Sequence, residues 1–214
     1  MTAAGYREEH RQEDNGPAMR DLPKLAFLDF EASSLGKHGY PIEVAWVLSN
    51  GEEESHLIRP DPTWTDWDLK AETIHGISRD RLHAEGAPVA DVARRMMSAL
   101  AGYSLYATAP SWDGKWLSRL LRTAGLPRHA LRLQDTEAVH RQTVHEVLLE
   151  MSIAADLHDA LMKKILSQAQ RKDDELGPAE HRALADARRE QRLWLDIRRR
   201  TQEMAAQVLS RSSS

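Results

Sequence analysis

The heptapeptide LAFLDFE, residues 25–31, predicts a central β-strand. Its apolar side chains occupy both faces, which is typical of a strand covered on both sides. Asp29 and Glu31 stand two residues apart, so their carboxylates lie on the same face. Buried like charges repel each other and lose hydration, and we therefore expect this pair to belong to a functional site.

A third carboxylate, Asp113, occurs in SWDGKWLSRLL, residues 111–121. Trp112, Trp116 and Leu120 recur every four residues, which indicates one stripe of an amphipathic helix. Asp113 precedes two leucines of this helix by four and seven residues, so it lies on or beside the buried face. An unpaired charge is costly there, which again favours a site.

The segment HRALAD, residues 181–186, holds a histidine and a fourth carboxylate. Five residues rotate an α-helix by roughly 500°, which leaves about 140° between the two side chains. They therefore do not share a face of one regular helix. We expect Asp186 on a helix and His181 in its first turn or in the preceding loop.

Together the three segments resemble the DEDDh superfamily of 3′-to-5′ exonucleases, which includes DnaQ-like and ribonuclease T-like proteins of ribonuclease H-like fold. The matching residues are Asp29, Glu31, Asp113, His181 and Asp186. Residues 74–78, IHGIS, are similar to an Ile-His-Gly-Ile-Thr segment common between the family's first two motifs. The resemblance covers roughly residues 23 to 200. It departs at residues 108–111, TAPS, where many members have His-Asn, and this leaves the subfamily open.

The resemblance implies a cofactor of two divalent cations, Mg²⁺ or Mn²⁺, which prefer hard oxygen ligands. Two such ions, roughly 3.5 to 4 Å apart, can activate a water and stabilise the leaving oxygen of a phosphodiester. By resemblance Asp29 bridges both ions, Glu31 and Asp186 hold the ion nearer the water, and Asp113 acts from across the site. His181 is implied to be the general base, in a mobile loop that brings it to the water when substrate binds.

Substrate contacts are also implied by the resemblance. Residues 32–35, ASSL, occupy the place of a run that often contacts the terminal nucleotide in the family. Ser33 and Leu35 are therefore candidates to bind the last sugar and to wedge against its base, although a turn serine and a core leucine are the ordinary alternatives. His75 and Trp112 are expected near the same groove.

Each candidate also has an ordinary interpretation when it is considered alone. An acidic pair on a strand is usually a solvated edge pair, and Asp113 would suit the positive end of a helix dipole. His181 could be a surface histidine and Asp186 an exposed acid. Order and spacing taken jointly favour the site.

Composition narrows the class of protein. The 214 residues fit one α/β domain, and 29 basic against 33 acidic residues give a formal net charge of −4, unlike a dedicated nucleic-acid binder. Cations bound by the carboxylates would offset the repulsion of phosphate. The chain has no cysteine, which excludes disulfides and thiolate metal sites. Without an apolar run of about 18 residues or a signal peptide, we expect a cytoplasmic protein with no membrane partner.

The segments predict an α/β fold, a ribonuclease H-like mixed five-stranded sheet flanked by helices. We expect a mobile tail at 1–22, an exonuclease domain at 23–207 and a frayed end at 208–214. The predicted strands are 25–31, 42–49, 54–59, 104–108 and 131–135. The predicted helices are 87–101, 111–124, about 136–169 and 179–207, with a long loop after residue 59.

The expected function is metal-dependent 3′-to-5′ exonuclease activity that releases nucleoside monophosphates from single-stranded DNA or RNA 3′ ends. Two alternatives remain open: a catalytically silent ribonuclease H-like binding module, and a proofreading accessory of a polymerase complex. The last helix, with Leu193, Trp194 and Ile197, offers a surface for a homodimer.

Overall fold

The computed structural model describes residues 22–212 and shows an α/β fold built on a mixed sheet. The strands are β1 (Leu25–Ala32), β2 (Pro41–Leu48), β3 (Glu53–Arg59), β4 (Ala87–Pro88), β5 (Ser104–Ala107) and β6 (Leu133–Asp135). Over the described residues their order is β4-β3-β2-β1-β5-β6. The first three strands form an antiparallel meander, and β5 and β6 continue the sheet parallel to β1. The predicted fold class is confirmed.

Helices cover both faces of this sheet. They are α1 (Leu69–His75), α2 (Arg79–Glu85), α3 (Val89–Ala99), α4 (Pro110–Thr123), α5 (Thr136–Glu150), α6 (His158–Asp174) and α7 (Ala183–Ser212). Helices α3 and α4 pack on one side, where Met96 and Trp116 join the main core, and α5, α6 and α7 pack on the other. None of the helices within residues 22–212 is both long and apolar enough to span a bilayer.

Strand β1 supplies side chains to both layers. Its even-numbered residues Ala26, Leu28 and Phe30 belong to the core cluster shared with α3 and α4. Its odd-numbered residues Leu25 and Phe27 pack in the cluster that contains Val139 of α5 and Trp194 of α7. The alternation of a strand therefore decides which layer each residue meets.

Helix α7 lies across β1 and β2 and is fixed by its aromatic contact with the sheet. The rings of Trp194 and Phe27 lie 5.7 Å apart between centroids, and Trp194 Nε1 donates a hydrogen bond to Thr143 Oγ1 at 2.8 Å. Leu193, Trp194 and Ile197 are all buried within the chain. The side chains named for the homodimer surface are therefore used in the core, while the homodimer itself stays a prediction.

The structure adds short elements that the sequence pattern did not indicate. The predicted loop after β3 contains α1 and α2, each only seven residues long, with Asp68 and Ser78 as their N-caps. Strand β4 is two residues long and pairs in parallel with β3. Elements this short show too few turns or alternations for their period to be recognised.

The C-terminal helices also differ in their bounds from the prediction. The helix expected over 136–169 is interrupted after Glu150, where Ser152 adopts a left-handed φ of 57° before α6 begins. Helix α7 begins at Ala183 and continues to Ser212, so residues 208–212, expected to fray, are helical. The tail predicted for residues 1–22 lies outside the described residues except for its last position.

Candidate active site

The odd-numbered face of β1 changes from apolar to acidic along the strand. Leu25 and Phe27 pack under the helices, and Asp29 and Glu31 continue the same face two and four residues beyond Phe27. Strand alternation thus directs both carboxylates to the side of the sheet that α7 covers. The prediction that they share one face of a central strand is confirmed.

Helix α7 brings a further carboxylate to this pair. Asp186 lies in its first turn, and one carboxylate oxygen from each of Asp29, Glu31 and Asp186 lies within 4.8 Å of the other two. His181 lies in the loop before α7, as the rotation argument predicted. The grouped oxygens could hold a divalent cation, because hard oxygen donors are what Mg²⁺ and Mn²⁺ prefer.

Asp113 approaches from the opposite layer. It lies in the first turn of α4 and is buried, and burial raises its pKa from 3.8 to about 7. Hydrogen bonds from the backbone of Ala109 and Phe30 oppose that rise. The charge of Asp113 is also, after burial, the largest cause that raises the pKa of Asp29.

The protonation of the two β1 carboxyls reflects this crowding. Burial raises the pKa of Asp29 well above its ordinary range, and the charges of Asp113, Glu31 and Asp186 raise it further. Burial, followed by the charge of Asp186, raises the pKa of Glu31 to about 8. Holding these groups ionised at neutral pH therefore costs free energy, and a bound cation would offset that cost.

The candidate residues line one open cavity of about 710 Å³. Those in its wall are Asp29, Glu31, Asp113, His181 and Asp186. His181 is exposed at its edge and adopts a left-handed φ of 53°, which is uncommon for a residue with a side chain. The cavity wall also contains exposed apolar side chains, with Leu35 68 % and Trp112 42 % accessible.

Three of the four substrate-contact candidates line this cavity. Leu35 and Trp112 do so as exposed side chains, and His75 as a buried one. The Nδ1 atom of His75 accepts a hydrogen bond from the Ile77 amide at 3.1 Å, whereas its buried Nε2 atom has no partner among residues 22–212. Burial lowers the pKa of His75, so its ring favours the neutral form.

Ser33 is the exception and corrects the prediction. Its side chain is fully buried, and its hydroxyl accepts from the Tyr40 amide at 3.1 Å. Its own amide donates to Tyr40 O, and its carbonyl accepts from the Asp68 amide. These contacts fix the loop that follows β1 and leave the neighbouring Ser34 in the cavity wall.

The sequence argument also missed an ion pair beside the site, formed by Glu43 and Arg182. Glu43 lies on β2 directly opposite Glu31, is only 2 % exposed, and forms an ion pair with Arg182. A lone acid inside PIEVAWVL is the same signal that selected Asp29, and it could have been found. Its partner lies 139 residues away, and no local pattern connects the two.

Comparison with known proteins bears on the fold. No protein-family model matches the sequence, and no curated protein does. The crystal structure of E. coli exonuclease I in complex with a dA16 oligonucleotide is similar with a TM-score of 0.59 and 16% identity, over 88% of this chain and 43% of that one. Its complex with a dT13 oligonucleotide gives 0.48 and 18%, over 56% and 29%. The chain thus spans less than half of exonuclease I and has a ribonuclease H-like fold.

The raised pKa of Glu31 predicts that the metal-free protein loses folding stability as the pH rises. Between pH 4.5, where the unfolded carboxyl ionises, and about 8 the folded protein holds a proton that the unfolded chain has released, so rising pH removes stability. In a chelator we therefore expect Glu31→Gln to melt above wild type at about pH 8, by roughly 2–4 °C for each kcal/mol recovered. The advantage should shrink as the pH falls toward 4.5.

The control for this melting experiment is Asp91→Asn, which neutralises an exposed acid on α3. It should show no comparable pH-dependent gain. An advantage of Glu31→Gln that is equal at both ends of the pH range would mean that the carboxyl is not strained in the folded state.

Proposed function

We propose that this chain is a metal-dependent 3′-to-5′ exonuclease that releases nucleoside monophosphates from single-stranded DNA or RNA. The observation that carries the proposal is the grouping of Asp29, Glu31 and Asp186, whose oxygens lie within 4.8 Å, in one cavity with Asp113 and His181. The oligonucleotide bound by E. coli exonuclease I, a protein of the same fold, supports a single-stranded nucleic acid as the substrate class.

The donor set fits two divalent cations, Mg²⁺ or Mn²⁺. The three grouped oxygens and the buried Asp113 are hard anionic donors. Burial, followed by neighbouring negative charge, raises the pKa values of Asp29 and Glu31, and a bound cation would favour their ionised forms. When bound, such cations neutralise the developing charge of the scissile phosphate and lower the pKa of a coordinated water. Asp29, Glu31, Asp113 and Asp186 would hold the cations, and Asp29 would contribute to both.

His181 is the proposed general base. It lines the cavity at its exposed edge, five residues before Asp186, and an imidazole can accept the proton of the attacking water near neutral pH. As the water oxygen bonds to phosphorus, the bond from phosphorus to the leaving 3′-oxygen breaks, and that oxygen takes a proton from solvent. The exposed His181 ring can then release its own proton to solvent.

The apolar part of the cavity wall is the proposed binding place of the terminal nucleotide. Leu35 and Trp112 are accessible and can contact the faces of a base, a contact that tolerates any base. His75 lines the same cavity, and we propose that it contacts the nucleotide there. Leu35 lines the same cavity as Asp29 and Glu31, which supports a terminal nucleotide beside the carboxylates and attack at the last phosphodiester.

Loss of one ligand tests the metal proposal. We expect Asp29→Ala and Asp186→Ala each to retain less than about a tenth of wild-type turnover in Mg²⁺ or Mn²⁺, a barrier change above roughly 1.4 kcal/mol. In melting experiments Mn²⁺ should stabilise wild type and not Asp29→Ala. Asp91→Ala, which removes an exposed carboxylate of α3, is the matched control and should behave as wild type. Full turnover in either ligand variant would contradict the assignment, and an inactive wild type would favour the silent binding module.

The direction of cleavage is tested with blocked ends. Since the cavity is proposed to grip a 3′-terminal nucleotide, a 3′-phosphate should inhibit cleavage and a 5′-phosphate should not. Circular single strands should be inert. Labelled DNA and RNA oligomers of several lengths, followed on gels, measure this and identify the preferred sugar; efficient cleavage of the circle would show an endonuclease.

Removal of the proposed base gives a separate test. We expect His181→Ala to lose about 10²- to 10⁴-fold in turnover while it still binds Mn²⁺ and substrate. The loss should be measured across a pH series with the wild type as the reference. An unchanged rate and pH profile would remove His181 from the mechanism.

A further inference from the structure

The Glu43–Arg182 pair joins the centre of the sheet to the start of α7. Arg182 donates from Nε to Glu43 Oε2 at 3.1 Å and from Nη2 to Oε1 at 2.8 Å, a bidentate arrangement. Glu43 Oε2 also accepts from the Ala183 amide at 3.1 Å. Both carboxylate oxygens of Glu43, which is 2 % exposed, are thus occupied. Their donors are Arg182, which follows His181, and Ala183, the first residue of α7.

His181 is held in a backbone conformation that it would not adopt by preference. Its φ of 53° lies in the left-handed region, which is disfavoured for residues with a Cβ and persists where the surroundings impose it. The next residue, Arg182, directly precedes α7, and its carbonyl accepts a helical hydrogen bond from the Asp186 amide at 3.1 Å. The contact of Arg182 with Glu43 therefore fixes the backbone immediately after His181.

The other end of this loop is fixed by a second arginine. Arg189 donates from Nε to both carboxylate oxygens of Asp173 at 3.0 Å, and from Nη1 to Gly177 O at 2.8 Å. Between the two ends the Glu180 amide donates to Asp186 Oδ1 at 3.2 Å. Both ends of the loop thus make side-chain contacts with the rest of the chain.

We infer that Glu43 and Arg182 are positioning residues that hold His181 at the cavity edge for proton transfer. The inference rests on the proposed function, since it concerns the geometry of the proposed base. Neither residue is assigned a contact with substrate, and their effect passes through the backbone of residues 181–183. A buried carboxylate with two occupied oxygens sets this backbone more firmly than an exposed ion pair can, because it cannot exchange its partners for water.

The chain offers a matched control for this chemistry. Arg188 on α7 makes a bidentate contact with Glu53 of β3, again between helix and sheet, but both side chains are substantially exposed. Arg188→Met therefore removes the same type of pair from the same helix without touching the His181 loop. It should leave turnover and loop protection as in wild type.

A double-mutant cycle measures whether Arg182 acts through His181. We expect Arg182→Met to lower kcat by about tenfold or more, because small displacements of a reacting group are costly, while KM changes little. In a His181→Ala background the same change should lower kcat by less than about twofold, since the group it positions is gone. Arg182→Lys, which keeps the charge and loses the bidentate fork, should give an intermediate loss. It also serves if the methionine variant fails to fold.

Hydrogen exchange tests the pair independently of activity. Peptides that cover residues 178–183 should exchange faster in Arg182→Met and Arg182→Lys than in wild type or Arg188→Met. Unchanged exchange in both Arg182 variants, or an equal kcat loss with and without His181, would overturn the inference. A wild type that is inactive with Mn²⁺ would instead contradict the proposed function, and loop exchange would then decide alone whether the pair fixes the loop.

Discussion

Repulsion among carboxylates in one cavity is the constraint on which the rest of this structure depends. Asp29 and Glu31 are neighbours on one strand face, Asp186 comes from α7 and Asp113 from α4, and burial and mutual charge raise the pKa values of the β1 pair. Such a cluster does not hold itself together. Its geometry has to be imposed by elements whose own packing is strong, and the central strand and the two helices supply that packing.

Helix α7 contributes most to this packing because its residues contact both the core and the cavity. Trp194 packs on Phe27 and bonds to Thr143, which fixes the helix against β1 and α5. Two turns earlier the same helix presents Asp186 to the acidic half of β1. At its first residue Glu43 accepts from the free amide, so a carboxylate meets the positive end of the helix dipole. The Arg182 side chain adds a cation beside the acidic cluster, and its charge opposes the rise in the pKa of Glu31.

The sequence predicted the features that local patterns encode. LAFLDFE identified the central strand and the face of its carboxylates, and the five-residue spacing placed His181 before a helix and Asp186 on it. Contacts between residues far apart in the sequence could not be predicted. Nothing in PIEVAWVL or HRALAD shows that Glu43 contacts Arg182. Ser33 was named because residues 32–35 stand where the family often contacts the terminal nucleotide, whereas its hydroxyl accepts from the Tyr40 amide. The end of the helix near Ser152 was not predicted because the apolar pattern continues through it.

The double role of α7 has a consequence for how the chain can vary. Asp186 and Trp194 are eight residues apart on one continuous helix, so one faces the acidic end of β1 while the other rests on its apolar end. Replacing exposed residues between them leaves the angle between these two side chains around the helix axis unchanged. Inserting or deleting one residue there rotates one side chain by about 100° relative to the other and shifts it by roughly 1.5 Å along the axis. The length of this segment, more than its composition, is what the architecture fixes.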